Sequence, residues 1–540
     1  MSVGGPVQHT KSFEAAAVEV AAALTAGDIP GAVEVVSSGW RMWAPLDGAA
    51  LRSVIESLPA ESWASDPRIL TAMGASFRSI GSPSRSAALP YFRTADALVA
   101  ASGTTTVDTV AELRIQHAAA LRSLGRFAEA IESLESAWAL LEDDLTLAPQ
   151  TRVASQASAA LQQGMVAIHG GDYDLAHDRL RLCLGLGVGI LALPEVVECL
   201  SALAFVSYTR GEFPEAERYL ARVADVAPEE VIDSQFGVLG SIAELLIAVE
   251  RNHVTAANVV ARRVAAVAER TDWGPLAHYA VASIAIIDGG HVQGLDHLEM
   301  ALRLSRGWTG RVVVRTLCDG MRGTLLMHLG ELDEAVAVIE RVEPTQNHAN
   351  CPARFIAGIR FKAGDSVGCL SALRDCESLR EHHSPRTLID VLLLTAAAHY
   401  DLGNPIAADV ATDRALLLVA RTQIRTPFTL VPGPTMQRML ARAEDRPQPP
   451  VVHSILADLR AGLGGVPYRP TESLSEREKD IAQHLHLDKT LGEIAAELYI
   501  STNTVKTHVR SIYRKLEASN RKEAVRRTRE LGLTGKITPA

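Results

Sequence analysis

The sequence predicts an all-α protein: a long array of helical hairpins followed by a small C-terminal domain of four helices. Three observations carry that prediction. Through most of the chain, Ala/Leu-rich segments alternate with Gly-acid-type turns, and β-branched residues fall inside helical patterns rather than in alternating runs. Eight of the 25 prolines then cluster between Thr422 and Pro470. Beyond them the charge reverses: the net charge of −10 resolves into −13 for residues 1–470 and +3 for Thr471–Ala540, with +7 in Ser501–Ala540 alone. An acidic body with a short basic tail suggests two jobs, the tail's partner being polyanionic.

The hairpin turns recur at Gly27, Gly125, Gly171, Gly211, Gly289-Gly290, Gly330, Gly364 and Gly403, with Asn252 as a turn without glycine. From Gly125 to Gly403 the spacing is 34 to 46 residues. A glycine after a helix supplies the left-handed cap that ends it, and the acidic residue that often follows favours the start of the next helix. Two turns read as repeat signatures. Gly125 is followed by Phe127, Ala130 and Leu134, and Gly211 by Phe213, Ala216 and Leu220. The small Ala lets paired helices approach, while the aromatic and Leu fill the space between hairpins. The pattern resembles tetratricopeptide-like repeats with a longer, irregular period. That resemblance implies a right-wound α-solenoid over residues 1–422, whose concave face is the natural binding surface for a small molecule or protein effector.

Residues 423–470 are expected to be a Pro-rich linker with one short helix, Val451–Ala461. Pro-rich spacing of this kind holds domains apart without burying a core.

Residues 471–540 open with Ser475 and Glu478 at capping-box spacing, and Thr490 and Glu493 repeat the device. The first pair predicts a helix to about His486, the second a short helix Leu491–Leu498. After the turn Tyr499-Ile500-Ser501, Ser501 caps a longer helix, Thr502–Leu516. Two helices joined by a tight turn, the second of them basic, are helix-turn-helix geometry. Val505, Val509, Ile512 and Leu516 share one face and must point into the domain. Lys506, Arg510 and Arg514 recur every four residues on another face, beside Thr507. In a DNA major groove, Lys or Arg reaches guanine O6/N7 and Thr meets a thymine methyl.

The phrases Leu474-Ser-x-Arg477-Glu478, Glu493-Ile494-Ala495-x-x-Leu498-x-Ile500-Ser501-x-x-Thr504-Val505-Lys506-x-His508, Ile512-x-x-Lys515-Leu516 and Arg521-x-x-Ala524 resemble the LuxR-type DNA-binding domain. The match covers 471–533. It implies a four-helix domain in which Lys506, Thr507 and Arg510 read bases. The fourth helix, about Arg521–Leu531, would supply a dimer contact through Ala524, Val525, Thr528 and Leu531. Expected phosphate contacts are Thr490, Ser501, Thr502, Asn503, Thr504, His508, Arg514 and Lys515. One stretch departs from the family: Asp488-Lys-Thr-Leu-Gly492 stands where a Gly-x-Ser-Asn-Lys run is common. The body resembles the sensor half of MalT-like large regulators. Those carry an N-terminal nucleotide-binding ATPase module, whereas this sequence has no G-x-x-x-x-G-K-[ST] loop.

Other chemistry finds little footing. The six cysteines form no C-x-x-C pair and read as buried thiols of a reducing compartment. Gly185-x-Gly187-x-Gly189 has no strand before it and no Lys after it, and reads as a turn between hairpins. His484-x-His486 and His382-His383 lack a convergent third ligand, so no metal is expected. Trp40, Trp43, Trp63, Trp138, Trp273 and Trp308 are expected between helices, one or two of them lining the concave groove. No catalytic motif, cofactor, signal peptide or membrane span is expected, and the cytoplasm, on the nucleoid when DNA is bound, is the expected address. The expectation is thus a transcription regulator that binds double-stranded DNA as a dimer. The alternative is an interaction adaptor whose tail serves mainly to localise it on DNA.

Overall fold

A computed structural model describes residues 12–78, 86–102, 105–144, 147–187, 189–268, 271–309, 312–342, 351–378, 384–431, 433–463, 474–485 and 489–516, and positions 518, 521, 524, 525 and 528. Among these residues every regular element is helical.

The hairpins close where glycine or asparagine was expected to close them. Gly27, Gly125, Gly171, Gly211, Gly289, Gly330, Gly364 and Gly403 have φ between 73° and 84°, and Asn252 has φ 60°. An L side chain in this region costs roughly 1–2 kcal/mol, with Asn among the residues that tolerate it. One bond recurs across these turns: the residue after the glycine donates its N–H to a carbonyl five positions back. Arg126 reaches Leu121 O at 3.0 Å, Asp172 reaches Ala167 O at 3.0 Å and Glu212 reaches Ser207 O at 2.8 Å. This is the Schellman closure, which satisfies carbonyls that the ending helix leaves unpaired. Asp28, Asp172 and Asn404 then cap the following helices through their side chains. The repeat signatures pack as expected: Phe127, Ala130, Leu134, Phe213 and Ala216 are buried, and Leu220 is half-buried.

The chain packs into two units. One comprises residues 1–248, 255–280 and 300–315; the other comprises 249–254, 281–299 and 316–540. In the first, successive hairpins such as Val107–Ser123 with Phe127–Asp143, and Pro149–Gly170 with Tyr173–Leu186, stack in chain order. Contacts distant in sequence close this unit on itself. Thr309 donates its N–H to Gly125 O at 2.9 Å, and its Oγ1 accepts from Phe127 N at 2.8 Å. Trp308 meets Phe127 edge-on at 5.5 Å. All six cysteines are buried thiols.

In the second unit the expected linker is corrected. Residues 423–463 form a 3-10 turn, Thr426–Leu430, and two helices, Gly433–Glu444 and Pro450–Leu463. Met436, Met439, Leu440, Val452, Ile455 and Leu456 are buried, so this segment extends the packed array rather than holding domains apart. Arg442 and Arg446 grip Asp409 on the preceding helix, at 2.7 Å in each case, and Arg446 also pairs with Asp413. The prolines misled because Pro434 and Pro450 sit in the first turn of each helix, where the missing N–H has no intrahelical partner to lose.

Candidate nucleic-acid interface

The tail builds its own small core. Leu474, Ile481, Ala482, Leu485, Ile494, Ala495, Val505, Val509, Ile512, Leu516, Ala518 and Ala524 are buried together. Among the described residues its helices include Glu476–Leu485, Leu491–Glu497 and Thr502–Lys515. Both capping boxes form. Ser475 N–H donates to Glu478 Oε2 at 2.7 Å, and Thr490 N–H donates to Glu493 Oε2 at 2.7 Å.

The turn between the second and third helices is tied down from the first. Arg477 Nη2 donates to Leu498 O, the carbonyl at the end of the second helix, at 2.8 Å. Tyr499 then takes φ 52°, and its side chain is 95% exposed. Ser501 caps the third helix by accepting from Thr504 N at 3.0 Å. A second clamp holds that helix from beneath. Glu478 accepts from Ser511 Oγ at 2.7 Å and from Lys515 Nζ at 2.9 Å. Burial would push the Glu478 carboxyl up, but the hydrogen bonds from Ser511, Lys515 and Ser475 outweigh it and hold the group at about 2. Arg521 completes the frame, donating to Leu485 O at 2.9 and 3.1 Å and to Lys489 O at 2.6 Å.

With Val505, Val509, Ile512 and Leu516 buried as expected, the opposite side of the third helix is open. Ser501, Thr502, Asn503, Thr504, Lys506, Thr507 and Arg510 are exposed, and His508 is half-buried. Lys506 and Arg510 lie one turn apart on that face, with Thr507 beside them. The Thr507 hydroxyl donates back to Asn503 O at 3.1 Å.

Other expected contacts fare differently. Lys515 is engaged by Glu478 inside the domain, so its ammonium is held away from a phosphate. The Thr490 hydroxyl is engaged by Glu493 at 2.8 Å. The dimer stripe needs correction. Ala524 and Thr528 are 1% and 2% exposed, Ala524 within the tail's own core, and a Thr528 Oγ1–Ala524 O bond of 2.8 Å joins the two. They cannot present an outward contact; Val525 is partly buried against the same core. Leu531, Asp488, His486, His382, His383 and the side chain of Arg514 lie outside the described residues. Among the described residues no group of three metal-ligating side chains converges, and no helix is long and apolar enough to cross a membrane.

Sequence reading singled out Arg477, Glu478, Lys515 and Arg521 as motif letters without seeing that they fasten the turn and the third helix. Only the Ser475/Glu478 capping spacing hinted at this; nothing in linear spacing pairs Glu478 with Ser511, or Arg521 with Leu485.

Residues 472–528 match the family described as bacterial regulatory proteins, luxR family. The tail is a LuxR-family helix-turn-helix domain. Curated relatives align with the C-terminal region of this chain. The CsgBAC operon transcriptional regulatory protein of Escherichia coli is 44% identical over 64 residues, which is 12% of this chain and 30% of that protein. The probable transcriptional regulatory protein NarL of Mycobacterium tuberculosis is 35% identical over 85 residues, 16% of this chain and 38% of its own length. MalT of Vibrio cholerae is 38% identical over 61 residues, 11% of this chain and 7% of that protein. The chain thus spans about a third of the first two relatives and far less of MalT. Among solved structures, a Rap protein complexed with competence and sporulation factor covers 68% of this chain at 14% identity and TM-score 0.46. The Cut9–Hcn1 hetero-tetramer covers 96% at 12% identity and TM-score 0.35. Likeness at this level carries no functional argument, and the LuxR-family assignment rests on the tail alone.

Proposed function

We propose that this protein is a sequence-specific transcription regulator that binds double-stranded DNA through the third tail helix and is controlled by its helical array. One observation carries the reading: Lys506, Thr507 and Arg510 form an exposed face on a helix whose other side is buried and fastened by Glu478. Lys506 and Arg510 are the base-reading cations and Thr507 supplies a methyl contact. Ser501, Thr502, Asn503 and Thr504, at the helix N-terminus, hold phosphates and set register. Tyr499, exposed beside them, is placed to lie along the sugar-phosphate backbone.

Control by the array has its own support. Thr507 and Arg510 border a cleft of about 580 Å³ whose opposite wall is Leu329, Gly330, Glu331 and Lys362. An effector on the array that altered this cleft would change how readily the Thr507 and Arg510 side of the helix meets DNA. Binding to a two-fold site as a dimer would then draw its partner contact from the array or from DNA, since Ala524 and Thr528 are buried. Enrichment of a random duplex library by the whole chain tests the proposal: recovery of one motif supports it, and uniform recovery overturns it.

A second reading, an interaction adaptor, is favoured by one surface. Leu402, Ile406, Val410 and Leu417 are 48%, 77%, 58% and 44% exposed and recur near helical spacing along Pro405–Thr422 and the turn before it. A stable protein complex captured through this face, together with no motif from the library, would favour the adaptor.

A further inference from the structure

The six cysteines are all buried, but their surroundings divide them. Cys199 donates its thiol to Leu180 O at 3.3 Å. A bond with Cys199, together with burial, pushes the Cys183 thiol up. Burial pushes Cys318 and Cys369 up to about 12 each. The thiolate is the reactive form, so thiols held protonated in this way resist mild oxidants. Cys351 and Cys376 differ. They lie 25 positions apart in sequence, and their Sγ atoms stand 3.4 Å from one another.

One hairpin makes that contact. Cys351 is the N-cap residue of the helix Pro352–Lys362, and Cys376 lies in the last turn of the helix Ser366–Ser378. The two helices pack together and are joined by the short turn at Gly364, so the start of the first meets the end of the second. The two sulfurs therefore face each other at the open end of the hairpin, away from the turn. A helix N-terminus favours negative charge beside it, which a thiolate on Cys351 would supply. Disulfide sulfurs are about 2.05 Å apart, so closure from 3.4 Å asks for a small side-chain movement.

We propose that Cys351 and Cys376 are a redox-active pair that a peroxide converts to a disulfide. The Cys351 thiolate attacks one peroxide oxygen and the O–O bond breaks, giving a sulfenic acid. The hydroxide released takes up the proton that Cys351 had lost and leaves as water. The Cys376 sulfur then attacks the Cys351 sulfur, the S–O bond breaks, and the Cys376 proton leaves with the hydroxyl as a second water. Two thiols are oxidised to one disulfide, and one peroxide is reduced to two waters. The first step waits on local opening of the buried hairpin. The second does not, because the partner sulfur already stands in place. Lys362, at the other end of the first helix, lines the cleft beside Thr507 and Arg510, so the link would stiffen one wall of that cleft. This deepens the sensor half of the function proposed above, and rests on it for its regulatory meaning but not for its chemistry.

The test is treatment of the whole chain with hydrogen peroxide, then denaturation, alkylation of the remaining thiols and mass spectrometry. Four of the six cysteines are expected to be alkylated. Cys351 and Cys376 should be recovered as one cross-linked peptide pair, two hydrogens lighter than its parts, and dithiothreitol should restore all six thiols. Cys376→Ser is expected to abolish the cross-link and leave Cys351 as a sulfenic acid that dimedone captures, whereas Cys183→Ser keeps the cross-link. Alkylation of all six cysteines after peroxide, or a cross-link between any other two in its place, overturns the proposal. The measurement on the unaltered protein decides the matter even if a variant fails to fold. Motif enrichment by the fully reduced chain reports on DNA reading alone, so failure of one claim is distinguishable from failure of the other.

Discussion

Glu478 and Lys515 stand 37 positions apart and meet inside the tail domain, Oε2 to Nζ, at 2.9 Å. Glu478 also closes the capping box of the first tail helix and accepts from Ser511 on the third. One carboxylate therefore fixes the third helix against the first, and with it the exposed face that we propose reads DNA.

Glu478→Ala should loosen the third helix. Breaking one side of a buried, hydrogen-bonded ion pair costs about 3–5 kcal/mol, and hydrogen exchange of the Thr502–Lys515 amides in the whole chain should speed accordingly. Lys515→Ala should also speed exchange while leaving the salt dependence of DNA binding unchanged. A shallower salt slope in that variant would show that Lys515 contacts phosphate after all.

The same carboxylate predicts a pH window. Its folded pKa is depressed to about 2, below the ordinary carboxylate value near 4.3, so folding favours the charged form. Its contribution is complete above about pH 5, shrinks as pH falls through about 4.3, and is gone below about 2. The difference in third-helix exchange between the parent and Glu478→Gln should follow that course. A difference independent of pH across this range would contradict the assignment.

Gly125→Ala should destabilise the first unit. The backbone there has φ 73°, and an added Cβ would drive into the Trp308 indole. Left-handed strain of roughly 1–2 kcal/mol and overpacking of about 1–3 kcal/mol act together. Chemical denaturation should place its midpoint well below that of Gly403→Ala, where the added Cβ meets open space.

The hairpin turns were legible because glycine has one job at a helix end; even Asn252, without glycine, takes the left-handed conformation. The face of the third tail helix was legible because its periodicity separates Val505 and Val509 from Lys506 and Arg510. What stayed hidden depends on partners far away in sequence. Periodicity does not show that Ala524 is buried in one core with Ile481 and Ile512, or that Lys515 belongs to Glu478. The cluster of Arg122, Glu198 and Asp272 spans 150 positions, and each of its members alone reads as an ordinary charge on a helix. The prolines after Thr422 misled because composition records their number and not their place in the first turn.

The correction after Thr422 is itself testable. A chain ending at Thr422 loses the cover of Met436, Leu440, Ile455 and Leu456, buried side chains worth about 1.5–3 kcal/mol each. It should unfold at lower denaturant than a chain ending at Leu463. Equal midpoints would return residues 423–463 to the role of a spacer.

If the exposed face of the third tail helix reads sequence, Arg510→Ala in the whole chain, assayed on the motif that the parent enriches, should lose about 1–3 kcal/mol of affinity, relax preference at one base position and leave the motif otherwise intact. Unchanged affinity and an unchanged motif would contradict it.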